Sequence, residues 1–148
     1  MPISLAFDPI SASMWASPAG VGLLSLIALA GAAVGSFIGT ALERLPHDRS
    51  ILRGRSACDG CSKALTPAEL VPVLSWLLLR GRCRGCGHPI GFAQIGSELA
   101  AGAIALVSVL ILPLPLAAAS AILGWQLLLL GLLDLRHLWL PRMLVVVL

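Results

Sequence analysis

Two long stretches of the chain carry no charged side chain, and a polar segment lies between them. The first runs from Pro9 to Leu42 and the second from Leu99 to Leu133. A helix that crosses a bilayer needs about 20 apolar residues, and Val21–Leu42 supplies one. The second stretch has 35 residues, too many for one ordinary pass. Pro113 and Pro115 interrupt it and predict a turn. The second span is therefore read as Ile90–Leu112 and the third as Leu116–Leu133, with Glu98 inside or at the edge of the second. Leu138–Leu148 is apolar again but short, with Pro141 inside it, and reads as the start of a fourth span. The pattern predicts an all-α membrane protein with about three transmembrane helices plus that start.

Two smaller patterns refine the picture. Gly31, Gly35 and Gly39 recur every four residues on the first span, a stripe that lets another helix approach closely. Between the spans, Val71–Leu79 is a short apolar segment with Pro72, Ser75 and Trp76. It is expected as a short helix at the membrane surface or packed on the spans.

Composition agrees with a membrane protein. Hydrophobic residues make up 58% and charged residues 11%, with a mean hydropathy of +0.97. A soluble domain carries roughly a quarter charged residues, so an ordinary soluble domain and a disordered chain are both excluded. The chain has no Tyr, which argues against a Tyr-rich binding surface. No Lys or Arg precedes Arg44, so the basic start of a cleaved signal peptide is absent and the first span is expected to stay.

Charge sets the expected orientation. Arg44, Arg49, Arg53, Arg55, Lys63, Arg80, Arg82 and Arg84 all lie between the first two spans, and Arg136 and Arg142 follow the third. Cytoplasmic loops carry the excess of Lys and Arg. Residues 44 to about 89 are thus expected in the cytoplasm, with the N-terminus and the Pro113–Pro115 turn outside, and Arg136, His137 and Arg142 inside. The basic loop reads as a topology signal that meets anionic lipid, with no nucleic-acid partner expected.

All four cysteines fall in that loop, as Cys58-x-x-Cys61 and Cys83-x-x-Cys86, with 21 residues between the pairs. Two such knuckles at this spacing point to a structural zinc site of four thiolates, because a tight turn presents two sulfurs to one ion. A closed set of four leaves no open position for catalysis. Redox or disulfide pairing and metal-free thiols are the alternatives, the former disfavoured in a reducing compartment. His88, two residues after Cys86, is a possible replacement ligand or a polar loop residue.

Asp134 follows the third span directly. It is either a solvated residue beside Arg136 and His137 or one member of an aspartyl dyad, in which two carboxylates share a proton and act on water. Partners are hard to find: Asp48 and Asp59 lie in the loop, Asp8 is expected on the opposite side, and Glu98 sits near a membrane edge.

In order, these motifs resemble the bacterial prepilin peptidases. Gly35-Ser36-Phe37 leads into Arg44-Leu45-Pro46, then come Cys58-x-x-Cys61, Pro72, Leu74-Ser75-Trp76 and Arg80-Gly81-Arg82-Cys83-Arg84-x-Cys86-Gly87. Glu98 takes the family's acidic position, and Asp134 with Pro141 matches its Asp-x6-Pro motif. The resemblance implies a multi-pass protein of the bacterial inner membrane that cleaves leader peptides of type IV prepilins and pseudopilins at the cytoplasmic face. It implies Asp134 as a catalytic carboxylate, and methylation of the new N-terminus with S-adenosylmethionine. It also implies three regions: an extracytoplasmic segment 1–20, the cysteine-bearing N-terminal region 21–112, and the start of the peptidase region, 116–148.

The chain departs from that pattern in places. Gly39, Glu43, Ala93-Gln94 and Arg142 stand where the family usually has other polar or aromatic residues. The Gly-x-Gly-Asp motif with the second catalytic aspartate is absent from these 148 residues. The expectation is an N-terminal portion or short form, inactive alone as a peptidase, that works with a complementing C-terminal half. A rival is a non-catalytic, zinc-stapled module that binds pilin-like helices or a partner half. A weaker rival is methyl transfer without cleavage.

Overall fold

A computed structural model describes residues 9–47, 50–51, 56–58 and 60–138. Among them are five α-helices: α1 (Pro9–Ala16), α2 (Pro18–Arg44), α3 (Leu74–Leu78), α4 (Phe92–Ile111) and α5 (Leu114–His137). Three of these, α2, α4 and α5, are long and apolar enough to cross a membrane. The Asp8, Asp48, Asp59, Pro141 and Arg142 positions and the expected fourth-span start from 139 onward lie outside the described residues, as do Arg49, Arg53 and Arg55.

Local chemistry sets the helix ends. The Ser17 hydroxyl accepts the Gly20 N–H at 3.1 Å and donates to the Met14 carbonyl at 2.7 Å, which starts α2 sharply. Pro18 follows at the first helical position, where a missing N–H costs nothing. Pro115 behaves likewise: it sits in the first turn of α5, so the predicted break shrinks to Leu112 and Pro113. At the other end α5 runs one turn beyond the predicted limit, to His137, and closes on Leu138 in the left-handed conformation. Asp134 is therefore in the last turn of α5 rather than after it.

The principal interface joins α2 to α4 along the glycine stripe. A Cβ on Gly31 would come within 2.9 Å of Ala105 and Gly102, and one on Gly35 would lie 2.5 Å from the Glu98 Cα. On α4 the opposing surface is Ser97, Glu98, Ala101, Gly102, Ala105 and Ser108, all buried. The Ser97 hydroxyl crosses the seam to the Gly35 carbonyl at 2.9 Å. Helix α5 joins through Trp125, whose Nε1 donates to the Ala101 carbonyl at 3.0 Å. The interior is thus mostly Ala, Gly and Ser, with Ile38, Leu42, Leu130 and Leu133 among them, while many other Leu and Val side chains face out. Where lipid is as apolar as leucine, close approach and hydrogen bonds hold helices together, and small residues allow both.

Candidate metal centre and adjoining cleft

The two cysteine knuckles are built to one plan. In the first, the Cys58 N–H donates to the Lys63 carbonyl, the Ser62 N–H to the Cys58 carbonyl, and the Gly60 N–H to the Cys58 Sγ. In the second, Cys83 donates to His88, Gly87 to Cys83, and Gly85 to the Cys83 Sγ. The spacing of every bond is the same. The turn residue with positive φ is Ser62 in one (55°) and Gly87 in the other (70°). Each knuckle also closes with one isolated bridge, Ala57 to Ala64 and Arg82 to Pro89.

The two units face each other with the same reciprocity. Gly60 packs against the His88 ring, and Gly85 packs against the Lys63 side chain. His88 is thereby occupied as a packing residue of the opposite knuckle, which leaves the ligand set to the four thiols. All four Sγ atoms lie within 4.8 Å of one another, and Cys58 and Cys86 are 3.7 Å apart. A tetrahedron with metal–sulfur bonds of about 2.3 Å has edges of about 3.8 Å. The four cysteines are positioned to hold a metal ion.

Backbone donors prepare this centre. The N–H groups of Cys86 and Gly85 pull the Cys83 thiol down to about 6. Cys86 receives the His88 N–H, but the neighbouring sulfurs, Cys61 foremost, outweigh it and push its thiol up to about 12. Four thiolates repel one another, and a divalent cation removes that repulsion.

A polar junction ties this loop to the helices. The Glu98 carboxylate, 5% exposed, accepts the Val73 N–H at 2.7 Å and the Gln94 Nε2–H at 3.0 Å. Gln94 also donates to the Ser36 hydroxyl at 3.0 Å. Val73 has φ 60° and ψ −49°, and the Leu74 N–H turns back to the Pro72 carbonyl. This is the rare γ-turn with positive φ, strained for a β-branched residue. The expected Val71–Leu79 helix is accordingly cut to the five residues of α3. A buried carboxylate with both oxygens engaged meets the demand that such a group be hydrogen-bonded. The sequence presents Glu98 as a weak partner for Asp134 and as the residue at the family's acidic position, with no sign that it binds the backbone of the loop. Its neighbour Gln94, which fixes it, stands out in the sequence only as part of the Ala93-Gln94 departure, one turn earlier on the same face.

Between loop and helices lies a cleft of about 710 Å³. Glu43, Glu69 and Glu98 contribute carboxylates to its wall, and Arg44, Arg84, Arg136, His47 and His88 contribute basic side chains. Glu69 is held by the Thr66 N–H and hydroxyl at 2.8 and 2.9 Å, which lower its pKa. Arg136 of α5 pairs with Glu43 of α2 at 2.5 Å. That pair puts the end of α5 on the same side as the cysteine loop. Asp134 itself is exposed and is not part of the cleft wall. Glu98 turns toward Val73 and Gln94, so the structure does not bring these two carboxylates together.

Residues 29–112, which include all four thiols, the glycine stripe and Glu98, match the family model of the Bacterial Peptidase A24 N-terminal domain. The chain belongs to this family. Among curated relatives, the prepilin leader peptidase/N-methyltransferase of Bacillus subtilis (strain 168) is 46% identical over 77 residues, 52% of this chain and 31% of the relative. That of Myxococcus xanthus (strain DK1622) is 49% identical over 72 residues, 49% of this chain and 22% of the relative. The Aeromonas hydrophila protein of the same name is 30% identical over 142 residues, 79% of this chain and 49% of the relative. The chain spans half or less of the length of these relatives. No solved structure matches it. As an A24 N-terminal domain, the chain combines a metal-competent thiol cluster with a closely packed pair of apolar helices.

Proposed function

We propose that the chain is the N-terminal portion of a membrane aspartic endopeptidase that removes prepilin or pseudopilin leader peptides and methylates the exposed N-terminus. Names of relatives support the activity. The observation that carries the reading for this chain is the location of Asp134: exposed, in the last turn of α5, two residues from the Arg136–Glu43 pair that joins α5 to the loop-side end of α2. A carboxylate there stands where a spanning helix meets water, as attack on a membrane-anchored substrate requires.

Asp134 would act as one of two carboxylates, one taking a proton from water and the other giving one to the departing amine. Among the described residues its carboxylate has no second carboxylate as hydrogen-bond partner. The other group belongs to a C-terminal peptidase half, in the same or another chain. The proposed organisation is a segment 1–20, the region 21–112, and a peptidase region beginning at 116. The proposed placement is the bacterial inner membrane, cysteine loop in the cytoplasm, on the strength of the Lys and Arg clustering.

The ion at the four cysteines would be zinc, since thiolates are soft donors and the set is tetrahedral in size. It would cross-link the loop and take no part in the cleavage. S-adenosylmethionine would supply the methyl group. The cleft is in the size range of ligand pockets and would hold it. The substrate amine would be held near the cleft wall.

The test is Asp134→Asn in the complete gene product, with prepilin processing followed by immunoblot. Loss of processing with normal membrane levels is expected; normal processing overturns the catalytic assignment. The second reading, a non-catalytic module that binds pilin-like helices or a partner half, is favoured by the self-contained packing of α2, α4 and the knuckles. It predicts that Asp134→Asn leaves processing intact.

A further inference from the structure

We infer that the segment Leu70–Leu78 is a wedge set into one leaflet of the bilayer, with phospholipid as its partner. The first observation is depth. Helix α4 has 20 residues and so spans about 30 Å, the thickness of the hydrocarbon core. No residues are spare, and its first two turns must lie at or within the membrane boundary. The Val73 N–H meets Glu98, which is six residues, or about 9 Å, along α4 from Phe92. The Trp76 ring packs on Phe92 itself, with centroids 5.9 Å apart. Segment α3 therefore runs beside the first two turns of a spanning helix, not above them.

The second observation is composition at that depth. Leu74, Leu77 and Leu78 are 50%, 57% and 83% exposed, and Phe92 beside them is 79% exposed. On α4, Leu99, seven residues and so two turns beyond Phe92, is exposed as well. Arg80, Arg82 and Arg84 follow at once and are exposed, where anionic headgroups would meet them.

The third observation is the backbone. Irregular chain at membrane depth is tolerated only where its polar groups are satisfied within the protein. The N–H groups of Val73, Ser75, Leu77, Leu79 and Gly81 all find acceptors in the protein. Left-handed turns at Arg80 and Gly81 (φ 52° and 66°) then reverse the chain out of this layer toward the second knuckle. The Val73 N–H and Gln94 also keep the Glu98 carboxylate partnered within a spanning helix.

The experiment places a photoreactive p-benzoylphenylalanine at Leu77, at Leu78 or, as the control on the first knuckle, at Ala64. The whole chain is reconstituted in vesicles of phosphatidylcholine and phosphatidylglycerol, and adducts are read by mass spectrometry. Severalfold more lipid adduct at 77 and 78 than at 64 is expected. Equal labelling at all three sites, or adducts to protein in place of lipid at 77 and 78, overturns the wedge. A second measurement avoids the bulky label: Leu78→Trp should add fluorescence that lipids brominated near the headgroup quench more than those brominated near the chain end. Absence of quenching by either lipid overturns it as well.

Discussion

The carboxylate of Glu98, in the second turn of α4, accepts the backbone N–H of Val73 at 2.7 Å. One hydrogen bond thus joins the strained turn ahead of α3 to the helix pair that carries the glycine stripe. Replacing Glu98 with Ala orphans that N–H and takes one acceptor from Gln94, at a cost of about 1–3 kcal/mol. Glu98→Gln keeps one acceptor and should lose less. Thermal unfolding in detergent micelles orders the three proteins as parent, Gln, Ala.

The same turn makes a prediction at Val73. Its φ of 60° with ψ −49° is open to glycine and costly for other L residues, by about 1–3 kcal/mol. Val73→Gly and Val73→Ala remove the same apolar surface to within a methyl group. The Gly variant should nevertheless be the more stable of the two, reversing the usual helix-interior order. The same unfolding measurement decides it.

Along the helix seam, Gly35→Ala forces a methyl group against the Ser97 carbonyl and the Glu98 Cα. Backbone cannot move aside as a side-chain tip can, so a loss of about 1–3 kcal/mol is expected. Gly22 lies on the same helix with nothing within 4 Å of the added atom. Gly22→Ala should be neutral or stabilising by up to about 1 kcal/mol. The contrast between two identical substitutions isolates packing from helix propensity.

At the knuckles, purified reduced protein should hold one metal ion per chain, and Cys83→Ser or Cys58→Ser should abolish stoichiometric binding. Comparable structural sites couple about 10–16 kcal/mol of binding to folding, so chelation should disorder the loop while leaving most helical signal. The Cys86 thiol, pushed up to about 12, holds its proton at neutral pH and must release it to the metal. Affinity therefore rises with pH. The Cys83 thiol, ordinarily 9.0 and drawn down to about 6, is already a thiolate at neutral pH. Its favourable contribution to the folded loop is complete above 9.0 and lost as pH falls through about 6. Calorimetric titration in buffers of different ionisation enthalpy should show proton release at pH 7.5 and a collapse of affinity below about 6.

The Arg136–Glu43 pair is 41% and 64% exposed at its two side chains. An exposed pair is worth about 0.2–1 kcal/mol, so either single reversal should barely move stability. The double reversal, Glu43→Arg with Arg136→Glu, should restore whatever a single reversal removes. A thermodynamic cycle at low and high salt measures it, and the coupling should shrink with salt.

The three spans, the turn near Pro113 and the thiol cluster were legible along the chain because each rests on short-range regularities. Apolar length reports a bilayer crossing, a four-residue glycine repeat reports a helix face, and cysteines paired with two residues between them report a turn that shares one ion. Asp134 was legible as a residue type at a boundary, yet its place inside the last turn of α5 depended on where the αL stop fell. The twinned hydrogen-bond plan of the knuckles left only a faint trace, since Ser62 and Gly87 reach the same φ with different side chains.

Spacing and composition therefore suffice for what one helix or one turn can do alone. The union of Glu98 with Val73, the role of Gln94, the packing of His88 on Gly60 and the ion pair from Glu43 to Arg136 join residues 25 to 93 positions apart or on opposite knuckles. Such pairings arise only when the fold brings distant groups together: close helix approach along Gly31, Gly35 and Gly39 buries Glu98 beside Gln94, while the knuckle packing and the Arg136–Glu43 pair form at the surface. No local pattern encodes which of them will meet, because each partner satisfies its hydrogen bonds only after the others are in place.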